Sequence, residues 1–283
     1  MPSHVSVLSH CYGALLPMFD TKEATVLRLL CREFKDTVAA FPWEDTKTVI
    51  KGSVAAWRAC FPKARCANVD HHTHVLLSSR GRRTQVVDGD FVHFKGLRVL
   101  SMKSCTRVTD AAFVHLKGLH TLIMSGCHQA TITEAGFSHL KGSIHTLGMS
   151  GCGRIPDAAF AHLDGIQELY IGSCGQITDA AFPHLKGIHT LYMEGCSQPE
   201  ITDAAFAHIT GVHTLSLFQC HQLTSKVFNH LRGVKVLDIT DCRQLLLEDD
   251  SLEGIEALGL LNCTQEMIAA AKFYGLPIWF EPL

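Results

Sequence analysis

No stretch of this sequence approaches the ~20 consecutive apolar residues that a membrane-spanning helix needs, so no bilayer contact is expected. Met1 to His10 has neither a basic start nor an apolar stretch, which speaks against a secretory leader. An excess of one charge is also missing. The 283 residues carry 25 Lys+Arg and 27 Asp+Glu, a formal net charge of −2, and this argues against a general nucleic-acid binder. There is no glycine-rich phosphate loop, no paired carboxylates and no nucleophile-and-base arrangement, so catalysis is not expected and no cofactor is called for.

Cysteine, by contrast, is plentiful. Twelve would suit a disulfide scaffold, but eight of them recur at a regular interval. Cys105, Cys127, Cys152, Cys174, Cys196, Cys220, Cys242 and Cys263 are separated by 22, 25, 22, 22, 24, 22 and 21 residues. Each closes the same phrase. Five residues before it stands Leu100, Leu122, Leu147, Leu169, Leu191, Leu215, Leu237 or Leu258, and three before it a Met, Ile or Leu. Alternation with a period of two implies a short strand with one buried face. After the cysteine comes Ile-Thr-Asp-Ala-Ala-Phe (177–182, 201–206) or Val-Thr-Asp-Ala-Ala-Phe (108–113). Here Thr can cap a helix, Asp suits the positive end of its dipole, and Ala favours helix. Gly118, Gly142, Gly165, Gly187, Gly211 and Gly233 then allow the turn into the next strand. A strand, a turn and a short helix repeated in about 22 residues must coil, each unit burying its apolar face against its neighbours.

The phrase L-x-x-L-x-L-x-x-C resembles the cysteine-containing form of the leucine-rich repeat, and eight units match from about 96 to 264. The fold class expected is therefore α/β, a right-handed leucine-rich-repeat solenoid or horseshoe. Its repeat thiols should lie inside, donating weak hydrogen bonds to loop carbonyls. Free buried thiols suit a reducing setting, cytoplasmic or nuclear. There the glycosylation triplet Asn262-Cys263-Thr264 would have no meaning.

Residues 1–66 carry no repeat and hold nine Lys/Arg against six Asp/Glu, net +3, which leaves −5 for the remainder. Asp20 and Glu23 resemble a capping box, and Ala24, Leu27, Leu30, Cys31, Phe34 and Val38 follow at helical spacing. A second helix is expected from Ser53 to Cys60, ended by Pro62, and a third over Val5 to Leu16. Phe19-Asp20-Thr21-Lys22-Glu23-Ala24 through Leu29-Leu30-Cys31-Arg32-Glu33-Phe34, with Pro42-Trp43 beyond, resembles the second half of an F-box. The family's opening Leu-Pro aligns on Val7-Leu8, and Pro17 departs from its pattern. The resemblance implies a small all-helical domain that docks on a Skp-type adaptor of a cullin ubiquitin ligase. Leu8, Leu15, Leu16, Phe19, Leu27 and Leu30 would be its adaptor-binding residues.

The organisation expected is an F-box-like helical domain (1–66), a cap or linker (67–95), eight repeats (96–264) and a C-terminal cap (265–283). In that cap, Gln265 to Tyr274 reads as a longer helix and Leu276 to Phe280 as a closing strand, with Trp279 and Phe280 covering the last core layer. The leading strand could be Ala64 to Val69 or His74 to Leu77.

Eighteen histidines invite a metal site, yet eleven fall into two ladders set by the repeat. His93, His115, His139, His162, His184, His208 and His230 share a helical slot, and His120, His145, His189 and His213 precede the strand. Ladder members sit at least a strand apart, too far to converge on one ion. Cys60, Cys66, His71, His72 and His74 match no zinc spacing, so no metal is expected. Arg80, Arg82 and Arg83 read as a solvated loop, with a seat for a phosphorylated partner as the alternative.

Residues two, four and six before each cysteine should point onto the concave face. They are small or plain in the first repeats and become Glu168, Tyr170, Tyr192, Glu194, Phe218 and Asp238 further on. Exposed aromatics anchor interfaces and flanking carboxylates favour a basic partner, so these six residues are the candidate contacts for a target protein. The function implied is substrate recognition in a Skp–cullin–F-box ubiquitin ligase by a non-enzymatic subunit, monomeric apart from its adaptor. The alternative is an interaction scaffold or inhibitor with no ligase role.

Overall fold

In every repeat the alternating apolar residues press inward, and a strand of three residues forms around the central leucine. The computed structural model describes residues 16–30, 32–71, 85–247 and 251–279. Ten parallel strands form one sheet in strict chain order. They are β1 (Cys66–Asn68), β2 (Val99–Ser101), β3 (Thr121–Ile123), β4 (Thr146–Gly148) and β5 (Glu168–Tyr170). Then follow β6 (Thr190–Tyr192), β7 (Thr214–Ser216), β8 (Val236–Asp238), β9 (Ala257–Gly259) and β10 (Ile278–Trp279). The register sets the central leucines side by side from Leu100 to Leu258, and none is exposed. The leading strand is thus the first of the two alternatives; residues 74–77 lie outside the described part of the chain. Cys66, placed by the sequence reading at the end of the helical segment, opens β1.

The opposite side of the coil is tighter than expected. Most of its helical segments are short 3-10 pieces of six or seven residues, such as Asp157–His162, Asp179–Leu185 and Asp203–His208. Among the described residues between β2 and β9, Asp110–Phe113 and Glu134–Phe137 are α-helical. Few residues separate the capping Thr from the glycine stop, and a piece this short gains little from α geometry. Phe113, Phe137, Phe160, Phe182 and Phe206 project from these turns into one buried file.

Two ladders tie each layer to the next. Each repeat thiol donates to a strand-end carbonyl of the preceding repeat: Cys127 to Met102 at 3.3 Å, Cys174 to Met149 at 3.1 Å, Cys242 to Leu217 at 3.0 Å. Burial pushes these thiols up, to about 12 for Cys105 and Cys174, so they stay protonated. All ten described cysteines are free. In the second ladder, the Asp that opens a helical piece reaches across to the capping Thr of the next repeat. Asp179 accepts from the Thr202 backbone N–H at 2.7 Å and from its hydroxyl at 2.6 Å. Asp110 and Thr133 do the same, as do Asp157 and Thr178. Pro156 interrupts the ladder, having neither an N–H nor a hydroxyl to offer Glu134.

Before the array, helix Thr21–Leu27 opens with the expected capping box, in which Asp20 accepts from the Glu23 N–H and Glu23 from the Asp20 N–H. Helices Arg32–Ala40 and Val54–Cys60 follow, the latter capped by Ser53. Leu16, Ala24, Val38, Trp43, Phe61 and Ala64 make a second small core, and Trp57 packs against both cores. The helix expected over Val5 to Leu16 lies outside the described residues except for Leu16, which opens a 3-10 turn, Leu16–Met18. At the far end, helix Gln265–Phe273 and β10 close the array, with Met267 and Ala271 buried. Phe280 is outside the described residues.

Candidate protein-binding surface

The outward slots of the strands form rows that cross the sheet. The middle row runs Ser101, Ile123, Gly148, Tyr170, Tyr192, Ser216, Asp238, Gly259 and Trp279 by direct strand pairing. Tyr170 and Tyr192 therefore stack, with ring centroids 4.6 Å apart and planes 3° from parallel. The Tyr170 hydroxyl donates to Glu168 at 2.9 Å, and the Thr146 hydroxyl to the other oxygen of that carboxylate at 3.1 Å. Both phenols are held above their ordinary range, first by partial burial and then by the Glu168 carboxylate.

Beside the tyrosine pair, Ser150, Gly151, Gly172, Ser173, Glu194 and Phe218 line most of a hollow of about 370 Å³. Gly172 leaves its floor open, and Glu194 and Phe218 stand in the same slot of the next two repeats. Partial burial, and then the charge of Asp238, raise the Glu194 carboxyl above its ordinary value.

The sixth candidate contact, Asp238, does not face the solvent; its exposure is 0%. Its side chain accepts from the Thr240 N–H at 2.9 Å and lies 3.4 Å from the Ser216 hydroxyl. Ser216 and Thr240 are equally buried. A β-carbon on Gly259 would fall 2.6 Å from Asp238 Oδ1 and 2.8 Å from Trp279 Cε2, so the indole lies on the concave side against Asp238. Trp279 thus covers this end of the concave face as well as ending the sheet. The sequence signal for this was an unpaired small residue, Gly259, opposite a large one in the last strand.

The candidate adaptor residues divide. Leu8 and Leu15 lie outside the described residues. Leu16 is buried, and Phe19 and Leu27 pack on the second core, so these three build the helical segment rather than offer themselves to a partner. Helical spacing marks a buried face and a contact face alike, which is why the sequence reading joined them. Leu30 is 63% exposed, beside Val26 at 60% and Leu29 at 83%, and this bare apolar turn spans the end of helix Thr21–Leu27 and the residues just after it.

The histidine ladders stand apart from all of this. His120 stacks on His145 at 4.2 Å and His189 on His213 at 4.7 Å. Partial burial, then His145 and Arg98, lower the His120 pKa. Among the described residues no three His, Cys, Asp or Glu side chains are placed to share a metal ion. Nor is any described helix long and apolar enough to cross a membrane. His72, His74, Arg80, Arg82 and Arg83 lie outside the described residues.

By sequence, the chain matches no family model and no curated protein. By structure it is similar to Rad7 in the yeast Rad7–Elc1 complex, at TM-score 0.51 and 14% identity, over 81% of this chain and 70% of that one. It is similar to the leucine-rich repeat-containing protein LegL7 of Legionella pneumophila, at TM-score 0.52 and 12% identity, over 80% of this chain and 85% of that one. In the Drosophila Toll–Spatzle complex the likeness reaches TM-score 0.57 at 12% identity, over 77% of this chain and 30% of that one. At such low identities the agreement is one of backbone path, and with the ten-stranded parallel sheet it establishes a leucine-rich-repeat solenoid.

Proposed function

We propose that this chain is the substrate-recognition subunit of a Skp–cullin–F-box type ubiquitin ligase, a binding rather than a catalytic protein working in the cytoplasm or nucleus. The adaptor would dock on the exposed turn Val26, Leu29 and Leu30, and the target protein on the concave face around Glu168, Tyr170, Tyr192, Glu194 and Phe218. The observation that carries the first half is this bare apolar turn on an F-box-like segment joined directly to the repeat array. An apolar group costs about 25 cal/mol per Å² while it stays in water, so three such side chains together favour a covering partner. Rad7, whose solenoid is similar, is found in complex with a second protein, Elc1.

The test is co-purification with a Skp-type adaptor. Deleting the whole segment would also remove Trp57 and Val54, which pack on the core of the array, so Leu29→Asp with Leu30→Asp is the better variant. Adaptor capture that vanishes in this variant while thermal unfolding is unchanged supports the proposal. No capture by the unaltered chain leaves the second reading, an interaction scaffold or inhibitor. That reading is favoured by the self-burial of Leu16, Phe19 and Leu27.

A further inference from the structure

Glu194 is an unusual group on this face. Glu168 is held by two hydroxyls and Asp238 by a backbone N–H, but no hydrogen bond or ion pair reaches the Glu194 carboxylate from the described residues. The one basic side chain in the described outward slots is Lys103, four strands away. At the ordinary strand spacing that is about 19 Å, roughly twice the distance over which salt screens exposed charges. The carboxylate borders an open hollow whose floor is Gly172, and the Phe218 ring lines it one strand beyond Glu194. A β-carbon on Gly172 would meet the Glu194 carbonyl oxygen at 2.8 Å, so the floor stays bare.

We propose that the hollow between Gly172, Glu194 and Phe218 seats an arginine or lysine side chain from an extended basic segment of the partner protein. This rests on reading the concave face as the partner-binding surface, and it names the partner's chemistry. A long aliphatic stem fits against Phe218 while its cationic head reaches Glu194. Pairing would also offset the partial burial and, after it, the Asp238 charge that raise the Glu194 carboxyl above its ordinary value. A single free carboxylate is too few ligands for a metal ion, and its sign excludes a nucleic-acid backbone.

The experiment is selection of a displayed random-peptide library on the full chain, on Glu194→Gln and on Tyr170→Ala/Tyr192→Ala/Phe218→Ala, with each variant's fold checked by circular dichroism. Peptides enriched on the unaltered chain should share an Arg or Lys and weaken as salt is raised. Glu194→Gln, nearly isosteric, should lower their affinity about tenfold. Basic peptides that bind Glu194→Gln unchanged overturn the inference. So do enriched peptides with no basic preference; if the aromatic variant loses those, the concave reading survives. Equal enrichment on the aromatic variant overturns the concave reading and this inference together.

Discussion

The repeat array and the helical segment before it solve the same problem, a buried core, in opposite ways. In the array, layer after layer repeats the same leucine and thiol, with a phenylalanine in most, and each strand pairs only with the strands on either side. In the helical segment five buried residues gather around one tryptophan, Trp43, whose indole N–H donates to the Val38 carbonyl at 2.8 Å. Phe41 and Phe61 meet its ring edge-on at 4.8 and 5.7 Å. Distributed contacts make the array tolerant of losing any one of them, whereas the single-copy core depends on each member.

The largest test of that contrast is Trp43→Ala. It should cost about 3–5 kcal/mol and unfold the helical segment first, read as an early step in urea denaturation that precedes loss of the array. A single transition for both regions would show that the segment is no separate unit. Next, Thr202→Val removes the hydroxyl half of one Asp–Thr link together with the cap on the Ala204 N–H, and should lower the array's stability by about 1–2 kcal/mol. Calorimetry should show the array still melting together, since the neighbouring links survive.

Acid should separate the two regions further. Burial opposes ionisation of Asp45, but hydrogen bonds from Thr21 and Thr48 outweigh it and hold the carboxyl at about 2. A carboxyl lowered by folding contributes stability that is present above its unfolded value near 3.8 and is lost as pH falls through about 2. The helical segment should therefore weaken across that window, and Asp45→Asn should remove this dependence while costing some stability at neutral pH. Thermal melts between pH 5 and 2 would show it. The smallest expected effect is a gain. Ser173, which precedes a repeat cysteine, has a φ of 56°, where Gly126 and Gly195 serve in sister repeats. Ser173→Gly should stabilise the array by about 0.5–1 kcal/mol, measured by chemical denaturation.

Much of this architecture was legible because the repeat states each instruction eight times. The strand centres, the inward thiols, the capping threonines and the stacked tyrosines all follow from slot positions alone. Legibility ended where one region acts on another across sequence distance. The aspartates read as partners for their own helix dipoles also clamp the following repeat, about 21–23 residues on. Asp238 read as a surface acid because its slot points outward; nothing in its own repeat announces that Trp279 will lie over it. In the helical segment, spacing identified an apolar face but could not divide it into Leu16, Phe19 and Leu27 inside and Leu30 outside.

By itself, then, the sequence determined a coil of stacked parallel strands, because a period of about 22 residues with a fixed inward set can close its core in no other way. Only the tertiary structure decided which outward groups are still uncovered: an indole buries Asp238, hydroxyls hold Glu168, and Glu194 is left open beside a bare glycine floor. Inward packing depends on local spacing, which a sequence displays. Exposure depends on what arrives from elsewhere in the chain, and that is settled when the coil is wound.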